Sequence, residues 1–114
     1  LFVFKLPSYR LTDLARVIAP NAKQNFIGIR PGEKLHEAMI TEDDSYHTFE
    51  YDYFYIIHPS LPFWTYKPYT PGGKKVAEGF SYTSGNNTRW LTDAELKGFV
   101  DTYLAEKAAL IAQA

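Results

Sequence analysis

The chain has 114 residues, 46% of them hydrophobic, which is typical of one folded domain or part of one rather than of a disordered segment. Its formal net charge is −1 with both signs mixed along the chain, so nothing indicates binding to nucleic acid or to a membrane surface. The lack of cysteine excludes a disulfide, a thiolate metal ligand and a cysteine nucleophile. The lack of cysteine also fits a cytoplasmic protein, which we expect. No apolar run is long enough to span a membrane, and no signal-peptide pattern is present.

The first elements are a strand and a short helix. The apolar run Leu1–Leu6 predicts a buried strand that ends at Pro7. Because the chain opens on this strand without a methionine, we expect a piece of a longer protein. Thr12 is predicted as the N-cap of a helix that ends before Pro20, with one apolar face formed by Leu14, Val17 and Ile18.

A sharp turn follows at Pro31-Gly32. The pattern predicts a strand over Asn25–Ile29 before the turn and a short helix over Lys34–Met39 after it. Proline pre-sets φ at the first corner of such a turn, and glycine supplies the positive φ that the second corner needs.

Arg30 and Glu33 flank this turn and are the candidate binding residues. A guanidinium is a planar donor fork that suits a phosphate or a carboxylate, and a carboxylate near a helix N-terminus is stabilised by the macrodipole. The pair could therefore hold a diphosphate and a sugar hydroxyl, but Arg30 and Glu33 could equally form an ion pair with each other. Spacing alone leaves both interpretations open and favours the structural one.

The middle of the chain contains one predicted strand between irregular segments. Residues 41–45 are predicted as an acidic, solvated turn, and Thr48–Ile57 as a strand because its apolar residues partly alternate. Residues 58–75 are rich in proline and glycine, which predicts an extended arm. Residues 82–90 are predicted as a turn-rich loop.

The C-terminal segment 92–112 is predicted as the longest helix. Thr92 and Glu95 have the spacing of a capping box. A continuous apolar stripe follows, and we expect it to face the core; its members are Leu96, Phe99, Val100, Tyr103, Leu104, Leu110 and Ile111.

Three other patterns have features of functional sites. The histidines His36, His47 and His58 lie on different predicted elements, and the position four after His36 is Ile40, so no metal site is predicted. Tyr103 and Lys107 have the spacing of a dehydrogenase catalytic pair, but Tyr103 lies in the apolar stripe and no Gly-rich loop precedes it, so this interpretation is rejected. The tyrosine-rich run from Tyr46 to Tyr69 indicates either an oligomer contact, a cover over a partner domain or an aromatic core.

Several strings together resemble one enzyme family. The two longest are 6–15, Leu-Pro-Ser-Tyr-Arg-Leu-Thr-Asp-Leu-Ala, and 27–37, Ile-Gly-Ile-Arg-Pro-Gly-Glu-Lys-Leu-His-Glu. Shorter matches cover residues 39–44, 50–52 and 82–92 in the same order. These strings resemble the C-terminal portion of the inverting UDP-N-acetylglucosamine 4,6-dehydratases, which belong to the extended short-chain dehydrogenase/reductase class.

The resemblance implies an α+β fold: a small C-terminal substrate-binding portion, with short strands and helices and a long C-terminal helix, and without the Rossmann domain. Residues 1–114 would form a single nucleotide-sugar-binding region. In the family's chemistry, NADP takes hydride from C4, water is lost across C5–C6, and hydride returns to C6 with inversion at C5. NADP and the catalytic residues would belong to the upstream Rossmann domain, so the fragment alone would be inactive.

The resemblance also implies roles and partners. Arg30 would bind the UDP diphosphate and Glu33 the ribose or neighbouring nucleotide groups, while Pro31 and Gly32 would shape the turn. A homo-oligomeric enzyme of bacterial surface-glycan or pseudaminic-acid biosynthesis is implied. Two alternatives stay open: a non-catalytic oligomerisation module, or the tail of a related retaining dehydratase or 4-epimerase.

Overall fold

The computed structural model describes residues 1–61, 65 and 67–112 and is an α+β structure. The chain divides into two compact units. The first unit consists of Leu1–Leu6 and Glu33–Thr88, and the second consists of Pro7–Gly32 and the stretch from Arg89 onward. The strands belong to the first unit and the two α-helices to the second.

The first unit is built on two antiparallel sheets. The larger has the order β1-β4-β3-β5, formed by β1 (Phe2–Phe4), β3 (Thr48–Glu50), β4 (Phe54–Ile57) and β5 (Lys74–Lys75). The smaller pairs β2 (Ala38–Ile40) with β6 (Tyr82–Thr83). A short 3₁₀ helix (Asp43–His47) leads from β2 into β3.

The core of this unit lies on one face of the larger sheet. Val3 is opposite Tyr55 in the β1–β4 register, and both are buried together with Ile40 and Tyr82. Phe2 and Phe4 point to the other face, because side chains alternate along a strand, and they remain 64% and 62% exposed. The prediction that the whole first strand is buried is therefore wrong, since only one of its faces is covered.

The single strand predicted over Thr48–Ile57 is also wrong, because it is a hairpin. Phe49 is opposite Ile56 across β3 and β4, and the N–H of Tyr51 donates to the carbonyl of Phe54 at 2.9 Å to close the turn. Asp52 is the polar residue at this turn. The alternation of aromatic residues continues through both strands, so it does not reveal the reversal.

The two elements predicted around Pro31-Gly32 are not formed. Residues 25–29 are exposed and belong to no strand, and Gly28 has φ +84°, which interrupts an extended run. A strand needs a partner, and none of the described residues pairs with this segment. Residues 34–39 are not a helix either, because Ala38 pairs with Thr83 and the N–H of Ser84 donates to the carbonyl of Glu37 at 2.8 Å.

The predicted acidic turn at 41–45 is partly helical. Oδ2 of Asp44 accepts from the Thr41 N–H at 2.9 Å and from the Thr41 hydroxyl at 2.7 Å. These two hydrogen bonds stabilise the carboxylate and lower the pKa of Asp44. The loop predicted over 82–90 likewise begins as a strand, β6, before the turn at residues 84–86.

The predicted arm over 58–75 includes residues 62–64 and 66, which lie outside the described part of the chain. Its described residues form no helix, and its only strand in that part is β5 at the end of the segment. Tyr69 stacks on Tyr51 with ring centroids 6.4 Å apart, and its carbonyl accepts from the Tyr51 hydroxyl at 3.1 Å.

The second unit contains α1 (Leu11–Ile18) and α2 (Asp93–Ala112). The N-cap of α1 is Arg10, without a side-chain hydrogen bond, so the prediction of Thr12 as the cap is wrong by two residues. Asp93 of α2 accepts from Arg16 of α1 at 2.9 Å. A parallel bridge between Ser8 and Trp90 lies before both helices.

The predicted capping box of α2 is present, and the helix begins one residue after Thr92. The Glu95 N–H donates to the Thr92 hydroxyl at 3.3 Å, and the Thr92 N–H donates to Oε2 of Glu95 at 2.8 Å. The prediction that the apolar stripe faces a core is wrong for most of its length. Leu96 is buried, but Phe99, Tyr103 and Leu110 are 61–68% exposed, because the unit's other helix is only eight residues long.

Candidate functional site

The turn around Arg30 is shaped by two glycines with positive φ. Pro31 and Gly32 form the turn itself, and Gly32 has φ +85°. Gly28, with φ +84°, lies four residues earlier. A Cβ added at either glycine would meet no heavy atom within 4 Å, so backbone conformation rather than space requires glycine there.

The structure places the predicted binding residues on the surface. Arg30, Pro31 and Gly32 end the first segment of the second unit, and Glu33 begins the long segment of the first unit. All four are exposed. Because no helix begins at Glu33, the prediction that a helix macrodipole stabilises its charge is wrong.

Charge is distributed unevenly between the two units. The second unit carries seven basic and five acidic side chains, whereas the first carries five basic and eight acidic ones. Within segment 7–32 the imbalance is larger, with four basic residues and one acidic residue. An exposed anion would therefore find a favourable potential at the segment that contains Arg30.

Sequence reasoning missed the environment of His36. A Cβ added at Gly85 would lie 2.7 Å from Cγ of His36, 2.8 Å from Cδ2 and 2.9 Å from Nδ1, so the imidazole rests directly on the Gly85 backbone. The hydroxyl of Ser84 is 3.5 Å from Nδ1 and accepts from the Glu37 N–H at 3.0 Å. In the sequence, only the glycine at position 85, next to Ser84, hints that another group packs closely there. It does not indicate that this group is His36.

Asn86 fixes the turn on which this imidazole rests. Its Oδ1 accepts from the Thr83 N–H at 2.8 Å, and its Nδ2 donates to the Ser81 carbonyl at 2.9 Å. The Asn86 N–H also donates to the Thr83 hydroxyl at 3.1 Å. Residues 81–86 thus form a hydrogen-bonded turn that supports His36.

Tyr82 holds the chain at Leu6 within the first unit. Its hydroxyl donates to the Leu6 carbonyl at 2.8 Å and accepts from the Leu6 N–H at 2.9 Å. Nδ2 of Asn87 donates to the same carbonyl at 2.6 Å. The side chains of Tyr82 and Asn87 therefore fix the peptide groups of Leu6, which lies 76 and 81 positions before them.

Tyr55 is a core residue whose hydroxyl has a shifted pKa. Burial raises its pKa to about 12, and the nearby carboxylate of Glu50 adds to the shift. Lys5 forms an ion pair with Glu50 at 2.7 Å, and its Nζ is 5.0 Å from the Tyr55 ring centroid. This group is part of the core and its edge, and nothing in its geometry presents a reacting atom to solvent.

Two further clusters stabilise the second unit. Arg89 forms an ion pair with Glu95, which lowers the pKa of the Glu95 carboxyl to about 2; the hydrogen bonds from Thr92 are the next causes. Arg10 lies over the Trp90 ring, 5.7 Å from its centroid. The first cluster joins the start of α2 to the residue Arg89 before it, and the second joins Arg10, the N-cap of α1, to Trp90. Both have a structural role.

No group of three or more histidine, aspartate or glutamate residues in the described part of the chain could hold a metal ion. His47 ends the 3₁₀ helix and His58 follows β4. Tyr103, which is not predicted to form a catalytic pair with Lys107, is exposed on α2 rather than buried in a core. In the same part of the chain, neither helix is both long and apolar enough to cross a membrane.

Comparison with known proteins identifies the family. The model of the family described as "Polysaccharide biosynthesis protein" matches residues 1–59, which is more than half of the sequence, so the chain belongs to this family. The chain is 45% identical over 102 residues to a Campylobacter jejuni serotype O:2 protein named UDP-N-acetylglucosamine 4,6-dehydratase (inverting). It is 41% identical over 107 residues to a protein of the same name from serotype O:23/36.

These matches cover 84% and 89% of this chain but only 30% and 32% of the two relatives, so the chain spans less than a third of their length. A solved structure, Pen from Bacillus thuringiensis, is similar with a TM-score of 0.69 and 30% identity. That similarity covers 90% of this chain and 31% of Pen. The resemblance to inverting 4,6-dehydratases is thereby confirmed at the level of sequence relatives.

Proposed function

We propose that this chain is the C-terminal part of an inverting UDP-N-acetylglucosamine 4,6-dehydratase, and that its role is to bind the UDP portion of the substrate. The observation that carries the proposal is the 45% identity, over 84% of the chain, to a relative with that name. The family match supports a place in polysaccharide biosynthesis. A cytoplasmic, oligomeric parent enzyme of a bacterial surface-glycan or pseudaminic-acid pathway is part of the same proposal.

Arg30 is proposed to bind the UDP diphosphate. Its exposure, the two positive-φ glycines that shape the loop, and the excess of basic residues in segment 7–32 support this role. A guanidinium can donate two parallel hydrogen bonds to phosphate oxygens, which an ammonium cannot. Glu33, exposed after the turn, is proposed to accept from the ribose or neighbouring nucleotide groups, and Pro31 and Gly32 to set the turn between them.

The NADP that this reaction requires does not fit the described residues. A dinucleotide site needs a Gly-rich turn that leads directly into a helix N-terminus. The helix α1 follows Arg10, and α2 follows Thr92, whose side chain and backbone already pair with Glu95. We therefore assign the cofactor and the catalytic residues to a Rossmann domain outside this chain.

The first test is turnover. The 114-residue chain, incubated with UDP-N-acetylglucosamine and NADP, should give no 4-keto-6-deoxy product by mass spectrometry, whereas the complete enzyme that contains it should. Product from the fragment alone would show that catalysis does not need an outside domain. Failure of the complete enzyme to form a product inverted at C5 would favour a retaining dehydratase or a 4-epimerase.

The second test is the role of Arg30. In the complete enzyme, Arg30→Ala should weaken UDP binding by about 1.5–3 kcal/mol, as expected for a lost hydrogen bond to a charged group, and Arg30→Lys should recover only part of this. Lys23→Ala removes an exposed cation from the same segment and serves as the control. Equal UDP affinity in Arg30→Ala and the unchanged enzyme, measured by calorimetry, would contradict the role.

One observation favours a second function, in subunit assembly. The outer face of the larger sheet carries a run of aromatic contacts: Phe2 with Phe54 at 5.7 Å, Phe54 with Tyr51 at 4.8 Å, and Tyr51 with Tyr69. An open groove of about 580 Å³ lies beside Phe2 and Tyr69. If this face joins subunits, Phe2→Ser should lower the molar mass of the assembled protein, as measured by light scattering. An unchanged molar mass would contradict a role of this face in assembly.

A further inference from the structure

We infer that His58 is a pH-sensitive anchor of the first unit, which holds segment 68–70 against the larger sheet while its imidazole is neutral and releases it when the ring is protonated. This role lies within one unit and is independent of UDP binding. Three observations support it: the ring is buried, segment 68–70 packs on it, and the charged groups that act on the ring are cations.

His58 is buried on the outer face of the larger sheet. It follows β4 directly and lies two residues after Ile56, so both side chains point to the same face. They are 7% and 6% exposed. The imidazole packs edge-on against Phe49 of β3 with ring centroids 5.3 Å apart, and the backbone N–H of His58 donates to the His47 carbonyl at 2.9 Å. The ring is therefore part of the packing of the sheet.

Segment 68–70 is held to the sheet through one carbonyl group. The Tyr69 carbonyl accepts from the His58 imidazole and from the Tyr51 hydroxyl at 3.1 Å. The segment leads into a turn in which the Gly73 N–H donates to the Thr70 carbonyl at 3.0 Å. The Tyr51 ring lies against this turn, since a Cβ added at Gly73 would be 2.5 Å from its Cζ. The turn thus depends on the same contacts as the segment.

The segment is only loosely packed on the sheet. Two cavities border His58, one of about 390 Å³ that also contacts Pro68 and Thr70, and one of about 580 Å³ that also contacts Tyr69. Segments with few apolar contacts and exposed hydrogen bonds open locally at a low cost in free energy. The core of the unit lies on the other face of the sheet. Segment 68–70 can therefore separate without exposing the core, and its release removes one wall of the groove beside Phe2.

Protonation of His58 favours this separation. Burial is the largest cause that lowers the pKa of His58 from its ordinary value of 6.5, and the ammonium of Leu1 and the imidazole of His47 act in the same direction. The hydrogen bond to Tyr69 opposes them. In a complete enzyme that continues before Leu1, that nitrogen is a peptide group, and burial and His47 remain. Opening exposes a ring that binds a proton more readily, so the closed form is most stable above pH 6.5 and loses stability as the pH falls below it.

The other titratable groups near the ring do not compensate a positive charge. Tyr46 lines the smaller cavity with the ring, and it and Tyr51 are phenols, which are uncharged near neutral pH. The carboxylate of Glu50 points to the opposite face of β3 and forms an ion pair there with Lys5 at 2.7 Å. Lys67, which precedes the segment, is a cation. Exposure to water is therefore the way in which a protonated ring is stabilised.

Amide hydrogen exchange in the complete enzyme tests this anchor at the peptide that contains Gly73. After correction for the intrinsic effect of pH on exchange, the protection of this amide should fall about tenfold for each pH unit below 6.5, until the ring is also protonated in the closed form. The peptide that contains Ile40, in the core on the other face, is the control and should keep its protection. Protection of Gly73 that does not change with pH would overturn the inference.

Two variants assign the effect to His58. His58→Asn keeps a side-chain N–H for the Tyr69 carbonyl but does not titrate, so the protection of Gly73 should no longer depend on pH. The same pH dependence as in the unchanged enzyme would overturn the inference. His47→Gln removes a neighbouring cation and should raise the pKa of His58 toward 6.5, which makes the total loss of protection smaller. If thermal unfolding shows that His58→Asn is not folded, His47→Gln decides, and an unchanged loss of protection in it overturns the inference.

Discussion

Replacement of Tyr82 by phenylalanine should destabilise the first unit, because it removes one hydroxyl group. The hydroxyl is the donor to the Leu6 carbonyl at 2.8 Å and the acceptor from the Leu6 N–H at 2.9 Å. Phenylalanine keeps the ring, which is 5.4 Å from the Tyr55 ring, so apolar packing in the core is preserved. Any loss of stability therefore reports the two hydrogen bonds.

The magnitude follows from what remains at Leu6. Its carbonyl keeps the hydrogen bond from Asn87 at 2.6 Å, so only the N–H loses its partner. A hydrogen bond contributes about 1 kcal/mol net, and an unsatisfied group costs about 1–3 kcal/mol when it is buried. Because Leu6 is half exposed, water replaces part of the lost interaction, and we expect a decrease of about 1–2 kcal/mol in the free energy of unfolding.

Urea denaturation measures this change, and amide hydrogen exchange locates it. The Leu6 amide should lose protection in Tyr82→Phe, whereas amides of α2 should not change. Tyr53→Phe is the matched control, because Tyr53 is 80% exposed and its hydroxyl should contribute almost nothing. An unchanged unfolding free energy together with a protected Leu6 amide would refute the reasoning.

Two predictions concern pH. Arg89 and the hydrogen bonds from Thr92 lower the pKa of Glu95 from 4.5 to about 2. The stability that this carboxylate contributes is therefore present above pH 4.5 and is lost as the pH falls toward 2. Arg89→Ala should raise the pKa of Glu95 in an NMR titration, and an unchanged Glu95 titration would contradict the ion pair. Burial and the Glu50 carboxylate raise the pKa of Tyr55 from 10 to about 12. The stability contributed by the protonated Tyr55 hydroxyl is therefore present below pH 10 and is lost as the pH rises toward 12. Glu50→Gln should lower this pKa, as followed by phenolate absorbance, and a titration midpoint near 10 in the unchanged protein would show that Tyr55 is not buried as described.

Local patterns predicted some elements correctly because their stabilising groups are close in sequence. The capping box of α2 needs only Thr92 and Glu95, three residues apart, and both of its hydrogen bonds are formed. The turn at Pro31-Gly32 needs only a residue that accepts positive φ, and Gly32 supplies it. Neither feature depends on a distant partner.

Most of the wrong predictions concern groups whose partners are far apart in sequence. The N-cap of α1 and the hairpin over residues 48–57 are the exceptions, because their partners lie within ten residues. Residues 25–29 have the composition of a strand but pair with none of the described residues. Residues 34–39 have a helical apolar spacing, yet Ala38 pairs with Thr83, 45 residues away. The stripe on α2 is apolar as predicted, but only a second surface of matching size could bury it, and α1 is too short to do so.

The candidate site likewise combines features that local sequence patterns predict with contacts that only the tertiary structure reveals. Arg30 and Glu33 can be proposed from the sequence, because a turn between a guanidinium and a carboxylate is a local pattern. That the ligand is UDP is implied only by the resemblance of the whole string. In the sequence, the spacing of His36 bears only on metal binding, which it does not predict. Its contact with Ser84 and Gly85 joins segments 48 residues apart, and no periodicity or spacing encodes such a contact.

The sequence by itself therefore determined the family, the capped terminal helix and the glycine turn that carries Arg30. The tertiary structure decided which face of β1 is buried, that residues 48–57 form a hairpin, and that the imidazole of His36 rests on Gly85. The physical reason is that a cap or a turn satisfies its backbone groups within a few residues. A strand, a buried face or a held side chain is defined only by the distant surface that contacts it.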